Sequence, residues 1–329
     1  MIKIGIALFL TIILSSCGPK NINRYKIKVD SQNEIMTSKS ASLQRKLFKN
    51  KPLEIYENNI PRGVKKTNHP KIFYGQNDVA IIIIHGFIGS PIEASSLGKA
   101  FNQRGYTVYM PLIDGFGGST ELANTSDYID WKNTVNKSIE FLSPHYKKFI
   151  IIGFSLGGTI ASDFVLNQNN QESYKIESLI LLAPFFKPKL WGGGLANSFV
   201  SIFTNSVDLA TLYKISMNSD ILIPLSNPNY YNSSMPLKAV KQMYEFSDEI
   251  RFMESSVVSD IPTLLVLTED DETIDNESSR IFVTKHFTNT EIFQFKGEDN
   301  IRHQFVVPEG NKYFTILCNK ISIFIKKQL

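Results

Sequence analysis

The side chain whose surroundings best suit nucleophilic chemistry is Ser155. It lies in Gly153-Phe154-Ser155-Leu156-Gly157-Gly158, directly behind the apolar run Phe149-Ile150-Ile151-Ile152. A buried strand entering G-x-S-x-G reads as a nucleophile elbow, a sharp strand-to-helix turn that lifts the serine Oγ clear of the backbone. The flanking glycines matter because a side chain at either would collide with the neighbouring strand or helix. A serine hydroxyl is a poor nucleophile at neutral pH. It needs a base within hydrogen-bond reach, a group that holds the base's ring, and donors for the oxyanion formed on attack.

The base should be a histidine downstream of an acid, in the order Ser, Asp, His. Histidines occur at 69, 85, 145, 286 and 303, and only His286 and His303 follow both Ser155 and a later acidic cluster. His303 sits in the polar stretch Glu298-Asp299-Asn300-Ile301-Arg302-His303-Gln304. Such a loop can reach over a rigid sheet. His286 lies in Ile281 to Phe287, which looks helical, so packing at the surface or core edge is expected of it and His303 is preferred. The acid should come from Thr268-Glu269-Asp270-Asp271-Glu272-Thr273-Ile274-Asp275. Most of such a run is solvated loop; Asp271 is chosen, with Asp270 second and Asp275 third, and spacing alone separates them weakly. For the oxyanion, the backbone N–H groups of Leu156 and Phe87 are the expected donors. Phe87 follows the strand-like Val79 to Ile84, and Gly86 lets the chain pass close. His85 precedes the serine and should brace this loop. The helix beginning at Leu156 adds a favourable partial charge at its N-terminus. This chemistry requires no metal and no organic cofactor.

These groups need a scaffold, and residues 76–329 alternate strand-like with helix-like runs, as an α/β sheet with parallel strands does. Val79–Ile84 is apolar without alternation, which suits a strand covered on both faces. Ser90-Pro91-Ile92-Glu93 has the form of a capped helix start, the glutamate reaching back to the cap. That helix should run to about Arg104 and stop at Gly105. Further strands are expected at Tyr106–Tyr109, Phe149–Gly153, Ser178–Leu182 and Thr263–Leu267, with Glu291–Phe295 nearer an edge. Helices are expected at Trp131–Leu142, behind Leu156, and at Asn311–Lys327. Between Pro184 and Ser256 the pattern breaks. Residues 185–256 hold Phe185, Phe186, Trp191, Phe199, Phe203, Tyr213, Tyr230 and Tyr231, with Gly192-Gly193-Gly194 among them. The segment reads as a cap insertion over the strand ends that supplies an apolar acyl pocket and excludes water.

With 329 residues, 43% of them hydrophobic, the chain can bury one large core. Its net charge of +4 hides an asymmetry. Residues 18–75 hold 13 Lys/Arg against 4 Asp/Glu, whereas residues 76–329 hold 21 against 27. The mildly acidic folded part argues against a nucleic-acid surface. The basic stretch has little apolar periodicity and reads as a tether, residues 17–70 linking a leader at 1–16 to a domain at 71–329. Lys3 opens a short positive region, and Ile4–Leu14 is apolar but too short to span a bilayer. Leu14-Ser15-Ser16-Cys17-Gly18 follows, and this resembles the lipobox of bacterial lipoproteins. The resemblance implies cleavage before Cys17, a diacylglyceryl group on its sulfur and a membrane-anchored, exported protein. Gly18 in place of an aspartate favours the outer membrane if the source has two membranes. Cys318 then has no partner and is expected in the core.

The sequence resembles the α/β-hydrolase superfamily, within it the carboxylesterase and monoacylglycerol-lipase-like branch. The residues that carry this are His85-Gly86-Phe87-Ile88-Gly89-Ser90-Pro91, Gly105-Tyr106-Thr107-Val108, Tyr128-Ile129-Asp130-Trp131, the elbow, and Met235-Pro236 ahead of Ile261-Pro262-Thr263. The resemblance spans roughly residues 76–310, and residues 18–70 lie outside it. In that branch the acid belongs to a D-x-x-V pattern three residues past a glycine. Asp271-Glu272-Thr273-Ile274 matches it with Thr268 at the glycine position, which singles out Asp271. The branch also has Gly-His-Gly where this chain has Gly115-Phe116-Gly117, which implies a more apolar wall. The resemblance implies a mostly parallel sheet with helices on both faces and a helical cap. It also implies hydrolysis of carboxylic esters, among them fatty-acyl esters such as monoacylglycerols, through an acyl-enzyme. Two other readings stand beside it: a thioesterase or acyltransferase with the same triad, and a surface lipoprotein that keeps the scaffold for binding alone.

Overall fold

The computed structural model describes residues 60, 62–168, 173–189, 207–208 and 234–329. The leader, Cys17 and the basic stretch to residue 59 lie outside the described residues. So do Trp191, Phe199, Phe203, Tyr213, Tyr230, Tyr231 and the three glycines of the expected cap.

Seven strands form one sheet. The chain lays down β1 (Lys71–Phe73), β2 (Val79–Ile84), helix α1 (Ser95–Asn102), β3 (Thr107–Met110), the short α2 (Thr120–Ala123), α3 (Tyr128–Leu142), β4 (Lys148–Phe154), α4 (Leu156–Asn167) and β5 (Lys175–Leu182). A small antiparallel pair follows, β6 (Val207–Asp208) with β7 (Ser234–Met235). Then come α5 (Leu237–Arg251), β8 (Thr263–Thr268), α6 (Asn276–His286), β9 (Thr290–Phe295) and α7 (Phe314–Gln328). The large sheet runs β1-β3-β2-β4-β5-β8-β9, parallel except where β1 meets β3. Central strands read as unbroken apolar runs because both faces are covered: every residue of β2 and β8 is buried. β9 is half-buried, as an edge strand should be.

The strand order dictates where a site can form. From β2 the chain steps outward to β3 through α1, then returns past β2 to β4 through α3. Right-handed crossovers taken in opposite directions place those helices on opposite faces. The point of reversal, between β2 and β4, leaves a crevice at the carboxyl ends of the strands. The loop at residues 85–90 leaves β2 there, and Ser155 leaves β4 beside it. β8 and β9 are parallel to them and deliver residues 269–275 and 296–303 at the same end.

The sequence expectations place these elements within a few residues, with informative exceptions. No capping box forms at Ser90–Glu93. Residues 91–94 turn without forming a helix, α1 begins at Ser95, and its N-cap, Ala94, has no capping side chain. The Ser90 hydroxyl instead donates to Asn68 Oδ1 (3.1 Å), and Glu93 has a different partner, described below. Residues 64–70, assigned to the tether from sequence, already pack on the body of the domain. Lys65 N–H and the Asn68 side-chain amide both donate to the Gly117 carbonyl. Phe185 and Phe186 are buried, the Phe186 ring lying tilted against Phe282 of α6 with ring centroids 4.1 Å apart. Cys318 is buried in α7, where burial pushes its thiol up to about 11. Among the described residues, no helix is long and apolar enough to cross a membrane.

Candidate active site

Ser155 occupies the turn between β4 and α4 with φ 52° and ψ −120°, a backbone conformation that non-glycine residues rarely adopt. The turn is possible only because its neighbours lack side chains. A Cβ on Gly157 would lie 2.3 Å from the Ile84 carbonyl oxygen at the end of β2, and one on Gly153 would lie 2.3 Å from the Gly157 carbonyl oxygen. β2, β4 and α4 therefore approach one another at backbone distance, and Ser155 stands at the apex.

His303 comes to it from the loop after β9. Its Nε2 lies 3.0 Å from Ser155 Oγ, and its Nδ1 donates to Asp271 Oδ2 at 2.8 Å. The other Asp271 oxygen, Oδ1, accepts the N–H groups of Thr273 (2.8 Å) and Ile274 (2.9 Å). All three side chains are buried, Asp271 completely. Burial alone would raise the Asp271 pKa. The adjacent imidazole and the two backbone N–H groups outweigh it and hold the carboxyl below its ordinary value. Burial would lower the His303 pKa, but the Asp271 carboxylate, its hydrogen bond, and the charges of Glu272 and Glu93 outweigh it and raise it.

The residues ranked from sequence now separate. Asp271 alone of the acidic cluster meets the His303 ring. Asp275 caps α6 by accepting the Ser278 N–H, and Glu269 accepts the N–H of Gly297. His286 is fully buried at the end of α6. Its Nδ1 donates to the Val257 carbonyl, and its ring lies 4.6 Å from that of Phe282, so it serves packing. His85 braces the loop after β2, its Nδ1 donating to the Gly86 carbonyl (2.8 Å) and its Nε2 accepting the N–H of Ile113 (3.1 Å). Burial lowers its pKa to about 4, so the ring is neutral in the range where esters are handled. Leu156 opens α4, where the first N–H groups have no intrahelical carbonyl. Phe87 leaves the loop beside it: a Cβ on Gly86 would come 3.4 Å from Ser155 Cβ.

Phe116 does not line a wall. It is fully buried, edge-on to Phe87 at 5.4 Å and 5.3 Å from Trp131, and so packs against the loop at residues 85–90. Four contacts carry no sequence signal of their own. The Phe154 ring packs 5.1 Å from the His303 ring. The Glu272 carboxylate accepts the His303 N–H (3.2 Å). Lys189 Nζ donates to the Asp271 carbonyl (2.6 Å), and the Thr268 hydroxyl donates to the Ile301 carbonyl. Among the described residues, no group of three or more His, Cys, Asp or Glu side chains is arranged to hold a metal ion.

Residues 75–307 match the family model Hydrolase_4, described as serine aminopeptidase, S33. The chain is similar to the thermostable monoacylglycerol lipase of Bacillus sp. strain H-257, 32% identical over 89 residues, 27% of this chain and 36% of that one. It is also similar to a carboxylesterase of Bacillus subtilis strain 168, 34% identical over 96 residues, 29% of this chain and 39% of that one. The alignments thus span well under half the length of these curated relatives. Among solved structures, one described with LipS and LipT, two metagenome-derived lipolytic enzymes, superposes with a TM-score of 0.64 at 17% identity. The match covers 80% of this chain and 99% of that one. The architecture is the α/β-hydrolase fold.

Proposed function

The chain belongs to the Hydrolase_4 family, serine aminopeptidase, S33, and from that membership we propose that it is a serine hydrolase of carboxylic esters acting through Ser155, His303 and Asp271. The continuous contact from Ser155 Oγ through the His303 ring to Asp271, at 3.0 and 2.8 Å, supports this reading most directly. Ser155 Oγ forms a bond to the ester carbonyl carbon as its proton passes to His303 Nε2. Asp271 holds the Nδ1–H tautomer and offsets the charge of the imidazolium. The N–H groups of Leu156 and Phe87 receive the oxyanion, each such donor contributing about 2.7–4 kcal/mol to lowering the barrier. Collapse breaks the carbon–oxygen bond to the leaving alcohol, which takes the proton from His303. Water then gives a proton to His303 and attacks the acyl-enzyme, releasing the acid and restoring Ser155.

The substrates are fatty-acyl esters such as monoacylglycerols. Support comes from the names of the two Bacillus relatives and from the aromatic content of residues 185–256. The enzyme works at a membrane, exported and held there through a diacylglyceryl group on Cys17, at the outer membrane in a cell that has two. The lipobox-like Leu14-Ser15-Ser16-Cys17 supports that location. The test is a fluorophosphonate probe with a series of glycerol and p-nitrophenyl esters, applied to the full chain. Wild type labels, prefers medium or long acyl chains to acetate, and loses both labelling and on the order of 10⁶-fold in kcat in Ser155→Ala. An unlabelled wild type would overturn the enzyme reading, and equal or better rates on acetate would overturn the fatty-acyl assignment.

A further inference from the structure

We propose that Glu93 is the positioning residue of the oxyanion loop, its buried carboxylate holding the Gly86 N–H so that the next peptide aims the Phe87 N–H at the reacting carbonyl. The inference rests on the reading of the site given above. Glu93 is 1% exposed, and its Oε2 accepts the Gly86 N–H at 3.0 Å. On the far side of Gly86, its carbonyl accepts two donors, His85 Nδ1 at 2.8 Å and the Gly89 N–H at 3.2 Å. The Gly86 carbonyl and the Phe87 N–H belong to one planar peptide and point opposite ways, so fixing the carbonyl fixes the N–H. Glu93 fixes the peptide before it. Such holding is needed, because Ile88, the residue after the donor, sits at φ 49° without being glycine. The space for the carboxylate is made by Gly89, where a Cβ would come 2.6 Å from Glu93 Oε2. The negative charges of Asp271, Glu272 and Glu93 all favour the charged His303 ring, Asp271 by direct contact, while Lys189 donates to the Asp271 carbonyl.

The experiment is steady-state hydrolysis of p-nitrophenyl butyrate by the full chain across pH, with thermal melting to establish that each variant is folded. Glu93→Ala frees the loop, and kcat falls by roughly ten- to a thousand-fold with KM nearly unchanged, the pattern of an interaction made only in the transition state. Glu93→Gln retains an acceptor for the Gly86 N–H, so kcat recovers to near wild type. The lost charge moves the acid limb of kcat/KM to lower pH. Gly89→Ala crowds the carboxylate at 2.6 Å, and the Gly86 carbonyl oxygen as well at 3.1 Å, and reproduces the loss in kcat without altering Glu93. Should Glu93→Ala not fold, the other two variants decide the matter. Wild-type kcat in folded Glu93→Ala or Gly89→Ala, or a folded Glu93→Gln enzyme whose kcat does not recover, overturns the assignment while leaving the ester-hydrolase reading intact. A wild type that neither labels with fluorophosphonate nor turns over ester overturns that reading, and this inference with it.

Discussion

At the scale of single residues, the site is a competition over one proton. The Ser155 hydroxyl can give it up only to a neutral imidazole, yet Asp271 at 2.8 Å, Glu272 and Glu93 together outweigh burial and favour the charged ring. The His303 pKa therefore stands above its ordinary 6.5. Asp271, held below its ordinary 3.8, stays ionised throughout. For ester hydrolysis, kcat/KM should rise with pH through a midpoint above 6.5, and Glu272→Gln should lower that midpoint. A pH–rate profile checks both, and a wild-type midpoint at or below 6.5 counts against the pairing. The linkage has the opposite sense. A raised histidine pKa contributes stability that is fully present below the unfolded value and is lost as pH rises through the folded one. The form competent for catalysis is thus the one in which this pair stabilises the fold less. Much of this was legible: Ser155 from its elbow, His303 from its polar loop, Asp271 from the family pattern. The supporting carboxylates were not, because nothing in the spacing distinguishes Glu93 reaching to Gly86 from Glu93 closing a capping box.

At the scale of elements, the site depends on how two loops are tied together. β8 and β9 pair in parallel, and β8 ends at Thr268, whose hydroxyl donates to the Ile301 carbonyl two residues before His303. The family pattern places a glycine at 268. Threonine there provides a tie that glycine has no atoms to make. Thr268→Val keeps the branched shape and removes the donor, leaving a buried carbonyl with one partner fewer, at a cost of about 1–3 kcal/mol. Melting temperature should fall, and kcat should fall with it while KM holds, because the loop that carries His303 has loosened. A lower melting temperature with unchanged kcat would show that the tie serves stability alone. Strands such as β2 and β8 were readable because complete burial demands unbroken apolar runs. β1 was not. Three residues, Lys71–Phe73, carry too little pattern, and the strand exists because β3 offers it an open edge.

At the scale of the whole molecule, the sheet's reversal between β2 and β4 requires that loops from four strands meet at one end. The price of that meeting is several polar groups buried where the fold must keep them in one protonation state. His85 is the clearest of these. It is 1% exposed, its Nδ1 donates to Gly86 and its Nε2 accepts from Ile113, an arrangement that only the neutral ring supports. Its pKa falls to about 4 from an ordinary 6.5 because burial penalises the charge. Between those values the unfolded chain binds a proton that the folded chain does not, so stability falls as pH drops from about 6.5 and levels off below about 4. At pH 5 the loss amounts to roughly 2 kcal/mol. His303 is protonated in both states only towards the lower end of this window; between pH 7 and about 6 it stabilises the folded state as pH falls and offsets up to about 0.8 kcal/mol of the His85 loss, and Asp271 begins to matter only near and below its ordinary 3.8. Denaturant unfolding at pH 7 and pH 5 should therefore show the folded state weakened at the lower pH. His85→Gln, which keeps a donor and an acceptor without a titrating ring, should flatten that dependence while lowering stability at pH 7. An equal slope in wild type and variant would place the acid sensitivity elsewhere in the molecule and remove His85 as its source.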